Sequence, residues 1–291
     1  MSFTFSLSIL AAFGTMFCWA FGDFFTQRTA WKVGDLETVA LIGGLGSLFL
    51  LPFVIRDFSS LNNFSNLLFY ILLGVITFFT SLFNFEGLKE GRLSVIEVTL
   101  QVALPVTVLL SFLLYHERVT SIQFFFMALI FFGVLLTSIK SFSSIRFRHF
   151  IEKGAVMGLI ASIGWGIINY MTGFSSKNIS PLMGLWLPWT IFTLMALVVI
   201  IKREGFKTLL KNTWKYKIPV FSMGLFNTLA WVFFVIATFY NKISISTAIT
   251  ESYPALALFL DLHFNNRKIS AHQYVGAGIT IISSIVLGFF V

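Results

Sequence analysis

Apolar residues run along this chain in stretches of about 20, the length an α-helix needs to cross the hydrocarbon core of a bilayer. Short clusters of charged and turn-forming residues separate them. The stretches fall at Leu7 to Phe25, Glu37 to Ile55, Leu67 to Phe85, Ser94 to Tyr115 and Ser121 to Ile139, then Gly154 to Gly173, Leu182 to Ile201, Ile218 to Thr238, Ile243 to His263 and Ser270 to Phe290. This pattern predicts an all-α integral membrane protein of ten transmembrane helices, because helices satisfy their backbone polar groups internally where no water is present. Met1 to Leu7 has no basic residue and leads straight into the first apolar run, so it is expected to enter that span rather than form a cleaved signal.

The ten spans divide into two similar halves, 1–139 and 154–291, joined by a basic connector, 140–153, that holds Lys140, Arg146, Arg148, His149, Glu152 and Lys153. In the first half Pro105 is followed twelve residues later by Glu117 and then Arg118; in the second Pro254 is followed twelve residues later by Asn266 and then Arg267. Gly74 matches Gly224 and Trp19 matches Trp165 at nearly the same offset. An odd number of spans per half turns the second copy upside down, which predicts two inverted five-helix repeats. Secondary transporters recurrently use that architecture, with a site at the repeat interface and one half rocking against the other.

Composition agrees: 57% of residues are hydrophobic, 11% are charged and the mean hydropathy is +0.89, outside the range of soluble domains. The net charge of +8 does not indicate nucleic-acid binding, because the basic residues sit in short loops and form no continuous face. Sixteen of the 20 Lys and Arg residues follow odd-numbered spans, leaving only Arg56, Arg118, Lys177 and Lys242 after even ones. The positive-inside rule then puts the odd loops in the cytoplasm and both termini outside. The longest odd loop, Lys202 to Lys217, is amphipathic enough to lie on an anionic leaflet. One cysteine, Cys18, allows neither an intramolecular disulfide nor a multi-cysteine metal site. The 37 phenylalanines are spread over nearly every span and read chiefly as lipid-facing.

Ionisable and amide groups inside the spans cost energy, so each needs a reason. Glu251 lies near the middle of the ninth span, three residues before Pro254, which cannot donate to the carbonyl of Thr250. In the fourth span Pro105 leaves the carbonyl of Gln101 without its donor, and Glu97 lies one turn below. Trp19 and Asp23 share a helix face, as do Trp165 and Asn169; an indole beside a hydrogen-bonding group suits an amphipathic solute. Thr77, Ser81 and Asn84 form a stripe matched by Asn227 and Trp231 in the second half. The substrate-binding candidates are therefore Trp19, Asp23, Asn84, Glu97, Gln101, Trp165, Asn169, Asn227, Trp231 and Glu251, in a cavity expected between spans one, three, four, six, eight and nine. The competing reading is that such groups only bond helix to helix. Gly14, Cys18 and Gly22, and Gly154, Gly158, Ser162 and Gly166, recur at helical spacing and read as packing seams. His116-Glu117 lacks the second histidine of a zinc-protease helix, and neither a nucleophile elbow nor a nucleotide-binding Gly-Lys-Ser/Thr sequence is present, so an enzyme is not expected.

The segment from Ser94-Val-Ile-Glu to Pro105 and His116-Glu-Arg-Val-Thr resembles the EamA-type repeat of the drug/metabolite transporter superfamily. The second copy, Ser244 to Pro254 and then Asn266-Arg267-Lys-Ile-Ser, is similar but has Asn266 where the pattern carries Glu, which favours a helix-end structural role for Glu117 over chemistry. The resemblance implies a secondary transporter of small organic metabolites such as amino acids, an exporter or exchanger working by alternating access through a central cavity. A monomer in the cell (inner) membrane, without a cofactor, is expected because ten spans already enclose a pathway, and the midplane position of Glu251 makes protons a candidate coupling ion. The alternative is a membrane scaffold or lipid-handling protein. Members of the family usually have both termini inside, opposite to the charge pattern here.

Overall fold

The computed structural model describes residues 6–90, 93–139, 152–265 and 269–291. Among them, ten helical stretches are long and apolar enough to cross a membrane, in agreement with the pattern above. They are built from α1 (Leu7–Val33), α2 (Asp35–Val54), α3 (Phe64–Glu90), α4 (Leu93–Leu100), α5 (Ala103–Leu113), α6 (Ser121–Ser138), α7 (Lys153–Asn178), α8 (Met183–Lys202), α10 (Lys217–Tyr240), α11 (Ile243–Thr250), α12 (Tyr253–Asn265) and α13 (Ala271–Phe289). A 3-10 segment, Ile55–Asn62, follows α2, and a short helix α9 (Phe206–Lys215) precedes α10. Apart from Glu152 and Lys153, the basic connector lies outside the described residues, as do Asn266 and Arg267 of the second motif.

Several helices run further than their apolar cores. The first span was expected to end at Phe25, yet α1 continues to Val33. Backbone hydrogen bonding does not stop at the first charge when long side chains reach out to the headgroup layer. The Arg28 guanidinium lies 3.5 Å from the centre of the Phe24 ring, and Lys32 sits over the ring of Tyr216. Lys32, Lys89 and Lys202 stand in the last turns of α1, α3 and α8, and Lys153 in the first turn of α7. All mark one end of the bundle, here called the basic end.

Helix pairing repeats when the halves are exchanged. α1 packs along α10, and its counterpart α7 packs along α3, the counterpart of α10; α2 pairs with its own counterpart α8, and α6 with α13. Single residues follow the same exchange. A side chain at Gly74 on α3 would strike Ile191 and the Pro188 carbonyl on α8, and one at Gly224 on α10 would strike Leu45 on α2. In the α6–α13 pair both N-termini carry a capping box, Thr120 with Gln123 and Ser270 with Gln273. Each glutamine amide also donates across the pair, Gln123 to the Phe290 carbonyl at 2.7 Å and Gln273 to the Thr137 carbonyl at 2.9 Å. Between them Gly133 and Gly276 meet so closely that a Cβ on Gly276 would lie 2.7 Å from the Gly133 carbonyl oxygen.

Glu117 joins the repeats at the end opposite the basic one. After α5 the chain turns through His116, whose φ is 53°, and the Glu117 amide donates to the Ser111 carbonyl at 3.0 Å. The Glu117 carboxylate then accepts from the Ile243 amide at 2.6 Å, the Ser244 amide at 3.0 Å and the Ser244 hydroxyl at 2.7 Å. It thus caps the N-terminus of α11, supplying the negative charge favoured by exposed N–H groups and the helix dipole. The helix-end role expected for Glu117 is realised on a helix of the other repeat.

The seams of small residues are close contacts. Gly158 faces Thr99 and Ile96, Gly166 faces Val106, Gly14 faces Phe233 and Gly22 faces Asn227. On the basic side α9 buries Leu209 and leaves Phe206, Leu210 and Trp214 exposed in one stripe beside Lys207, Lys211 and Lys215. That pattern suits the membrane surface.

Candidate functional site

A cavity of about 140 Å³ lies between the repeats, roughly ten times the space one water needs. Its walls come from α1, α2, α3, α7, α8 and α10. The polar groups are Asp23, Thr26, Thr77, Ser81, Asn84, Thr172 and Asn227; Trp165, Trp189, Trp231, Phe85 and Phe192 supply aromatic surface. Asp23 is exposed, although it lies well inside a membrane-spanning helix. The Asn84 side-chain oxygen has no hydrogen-bond partner, and the Asn227 amide donates to the Thr26 hydroxyl at 3.2 Å and the Met223 carbonyl at 3.0 Å.

Of the sequence candidates, Asp23, Asn84, Trp165, Asn227 and Trp231 line this cavity. Trp19 does not: it is buried against Trp231, Phe234 and Tyr253, with ring centres 5.3, 5.7 and 5.9 Å away. The two halves thus differ at matched positions, one tryptophan packed and its mate Trp165 open to the cavity. Spans four and nine, expected in the wall, stand behind it, and spans two and seven take their place. The reason is steric. Gly43 and Gly46 leave no room for a side chain between α2 and Phe192, Thr193 and Trp189 of α8, so these helices cross tightly and their flanks, from Val39 and Ile42 to Pro188, border the space.

Spans four and nine are each interrupted for two residues at the expected kink, where αR backbone and tighter i→i−3 hydrogen bonds carry the chain across. α4 ends at Leu100 and α5 starts at Ala103; α11 ends at Thr250 and α12 starts at Tyr253. Pro105 and Pro254 fall in the first turn of the second segment, where a missing N–H costs nothing. Gln101 and Glu251 are each the first residue of the interruption, although by the proline offset Gln101 matches Thr250. The Gln101 amide side chain folds back to the Glu97 carbonyl at 3.0 Å. Glu251, half-buried, accepts from the Asn169 side-chain amide at 2.7 Å. Tyr253 donates its hydroxyl to Asp23, and Asp23, Glu251 and Glu97 all lie near enough to act on it electrostatically. Glu251 with Asn169 and Tyr253 with Asp23 thus form two hydrogen-bonded pairs within electrostatic reach of each other, between the interruption in the ninth span and the cavity wall.

Tyr253, Trp189, Thr26 and Thr172 belong to this arrangement and were missed in the sequence. Tyr253 and Trp189 each adjoin a proline, the one signal that marked them.

The cavity is closed at the end opposite the basic one. There Tyr70, fully buried, meets the Ser175 hydroxyl at 3.4 Å; Ser175 donates to the Ser180 carbonyl at 3.0 Å, and the Ser180 hydroxyl donates to Asp57. Phe174 packs against Phe69 and Tyr115 beside them. Towards the basic end the wall continues through Phe85 into a second cavity, of about 560 Å³, bordered by Asp35, Glu86, Lys89, Lys153 and Arg203. Lys89 pairs there with Asp35, and Lys153 with Glu86 and Glu90.

Two inverted repeats, ten spans, an interruption in the fourth and in the ninth, and between the repeats a cavity lined by polar and aromatic side chains together define a membrane transporter of the inverted-repeat class. The model of the EamA-like transporter family matches residues 6–139 and again 152–289. The chain belongs to that family. No curated protein matched it. A solved crystal structure superposes with a TM-score of 0.75 over 97% of this chain and 96% of that chain, at 13% identity, a likeness of fold alone.

Proposed function

We propose that this protein is a secondary transporter that moves small organic metabolites by alternating access, as an exporter or exchanger. The observation that carries the reading is the inter-repeat cavity, in which the carboxylate of Asp23 stays exposed within the membrane span. Tyr253 occupies only part of the accepting capacity of that carboxylate, whereas a purely structural group would be expected to be fully spent on neighbouring helices. The cavity is shut at one end by contacts between the repeats, and a second cavity continues from it to the other; rocking the repeats exchanges the two conditions. By the excess of positive charge the basic end is cytoplasmic, both termini are outside, and the present conformation faces inward.

Glu251 is the candidate proton carrier. It stands where the ninth span is interrupted near mid-membrane, accepts from the Asn169 amide, and lies within electrostatic reach of Asp23 and Tyr253. Solute binding and Glu251 deprotonation would then be coupled through that proximity. Glu251→Gln keeps the shape and removes the titration. Uptake into proteoliposomes under an imposed pH gradient is expected to fall about tenfold or more in this variant, with its pH dependence lost, a size typical of removing a positioned acid–base group. Transport and pH dependence unchanged in Glu251→Gln would rule out Glu251 as the carrier.

A further inference from the structure

Resting on the transport reading, we infer that the cavity selects solutes with a cationic amino group on an aromatic or apolar body, in preference to zwitterions and anions. The cavity's described lining includes one acidic side chain, Asp23, and no Lys, Arg or His. Three indoles, of Trp165, Trp189 and Trp231, border the same space. A carboxylate with tryptophans around it attracts a cation twice, by direct charge and through the negative faces of the rings, in surroundings where little water competes.

An anion meets the opposite conditions. A solute carboxylate would have only neutral partners, chiefly the amides of Asn84 and Asn227, and would face the Asp23 charge. The basic side chains of the adjoining cavity do not line this one: Lys89 and Lys153 are engaged by Asp35, Glu86 and Glu90, and Arg203 stands at the C-cap of α8, at the basic end. Asp23 itself accepts one hydrogen bond, from Tyr253. A carboxylate has room for more than one donor, so an ammonium group can be added without displacing the tyrosine.

The test is equilibrium binding to purified protein in detergent with three radiolabelled compounds that share one ring: phenethylamine, phenylalanine and phenylacetate. Phenethylamine is expected to bind at least about tenfold more tightly than phenylalanine, and phenylacetate not measurably. Asp23→Asn, which can still accept from Tyr253, should abolish the preference for phenethylamine while leaving thermal unfolding within a few degrees of wild type. Trp165→Leu, at the cavity edge, should weaken phenethylamine severalfold and leave phenylacetate unbound. Phenylalanine or phenylacetate binding as tightly as phenethylamine, full binding in a folded Asp23→Asn variant, or no binding of any of the three would overturn the inference. Each of these leaves the transport reading standing if solute counterflow is observed with other metabolites.

Discussion

Replacing Glu117 by alanine is expected to lower stability by about 3–5 kcal/mol, the largest effect of any single polar substitution in the bundle. The carboxylate accepts three hydrogen bonds from Ile243 and Ser244, each of the charge-assisted kind worth roughly 1.5–3 kcal/mol when a buried partner is left unpaired. Water can reach part of the vacated site, which keeps the total below the sum. The loss is not local. The cap fixes α5 of one repeat to α11 of the other, so its removal frees the first turn of the ninth span, and Ser246 and Thr247 just beyond it already have hydroxyls without partners. Glu117→Gln keeps one of the two accepting oxygens, loses the charge and sets an NH2 against the other donor, so it should still lose about half as much. Thermal unfolding in detergent reads both variants; a shift of about 10 °C for alanine matches the account, and a shift of only a degree or two would show that the cap is dispensable.

The second large effect is steric. A Cβ at Gly276 would meet the Gly133 carbonyl oxygen at 2.7 Å and the Thr137 amide nitrogen and Leu136 Cβ at 2.8 Å. Two of these are backbone atoms and cannot swing aside. Gly276→Leu must therefore push α6 away from α13, stretching the bonds that Gln123 and Gln273 send across the pair. We expect a cost of about 3 kcal/mol or more, beyond ordinary overpacking because the helices have no other way to approach. Two residues along, a Cβ on Gly278 would meet nothing within 4 Å. Gly278→Ala should be neutral, or stabilising by about 0.5–1 kcal/mol as alanine replaces glycine in a helix. Equal behaviour of the two glycines in thermal unfolding would contradict the close α6–α13 crossing.

Much of this architecture was legible in the order of residues. The ten spans follow from apolar run length, and the inverted repeat from Pro105 and Pro254 with the residues twelve positions on. Gly74 and Gly224 were matched by offset alone, and they prove to face α8 and α2, themselves counterparts. The site was legible only in part. Asp23, Asn84, Trp165, Asn227 and Trp231 stood out as polar or aromatic groups on helical stripes, and they line the cavity because a stripe keeps its face along a straight helix. Trp19 has the same spacing from Asp23 as Trp165 from Asn169, yet one indole packs and the other faces open space. The two repeats take different conformations around the cavity, and spacing cannot report that.

What surrounds the interruptions in the fourth and ninth spans was hidden for a related reason. A proline in an apolar run marks where a helix can bend, but the partners that meet the exposed groups there, such as Asn169 at Glu251, come from distant parts of the chain. The contribution of spans two and seven to the wall was hidden as well. Only the close crossing of α2 over α8, at Gly43 and Gly46, brings Val39, Ile42 and Pro188 to the cavity.

Counterflow tests the central claim most directly. Proteoliposomes would be preloaded with a high concentration of one unlabelled aromatic amine or amino acid, diluted into a trace of the same labelled compound, and followed over minutes. A cavity that opens alternately to each side predicts transient accumulation of label above equilibrium, abolished when Gly46 is replaced by phenylalanine to jam α2 against Trp189 of α8. Folded, inserted protein that gives no accumulation across a broad panel of organic cations, amino acids and neutral metabolites would contradict the account and leave the polar stripes as ties between helices.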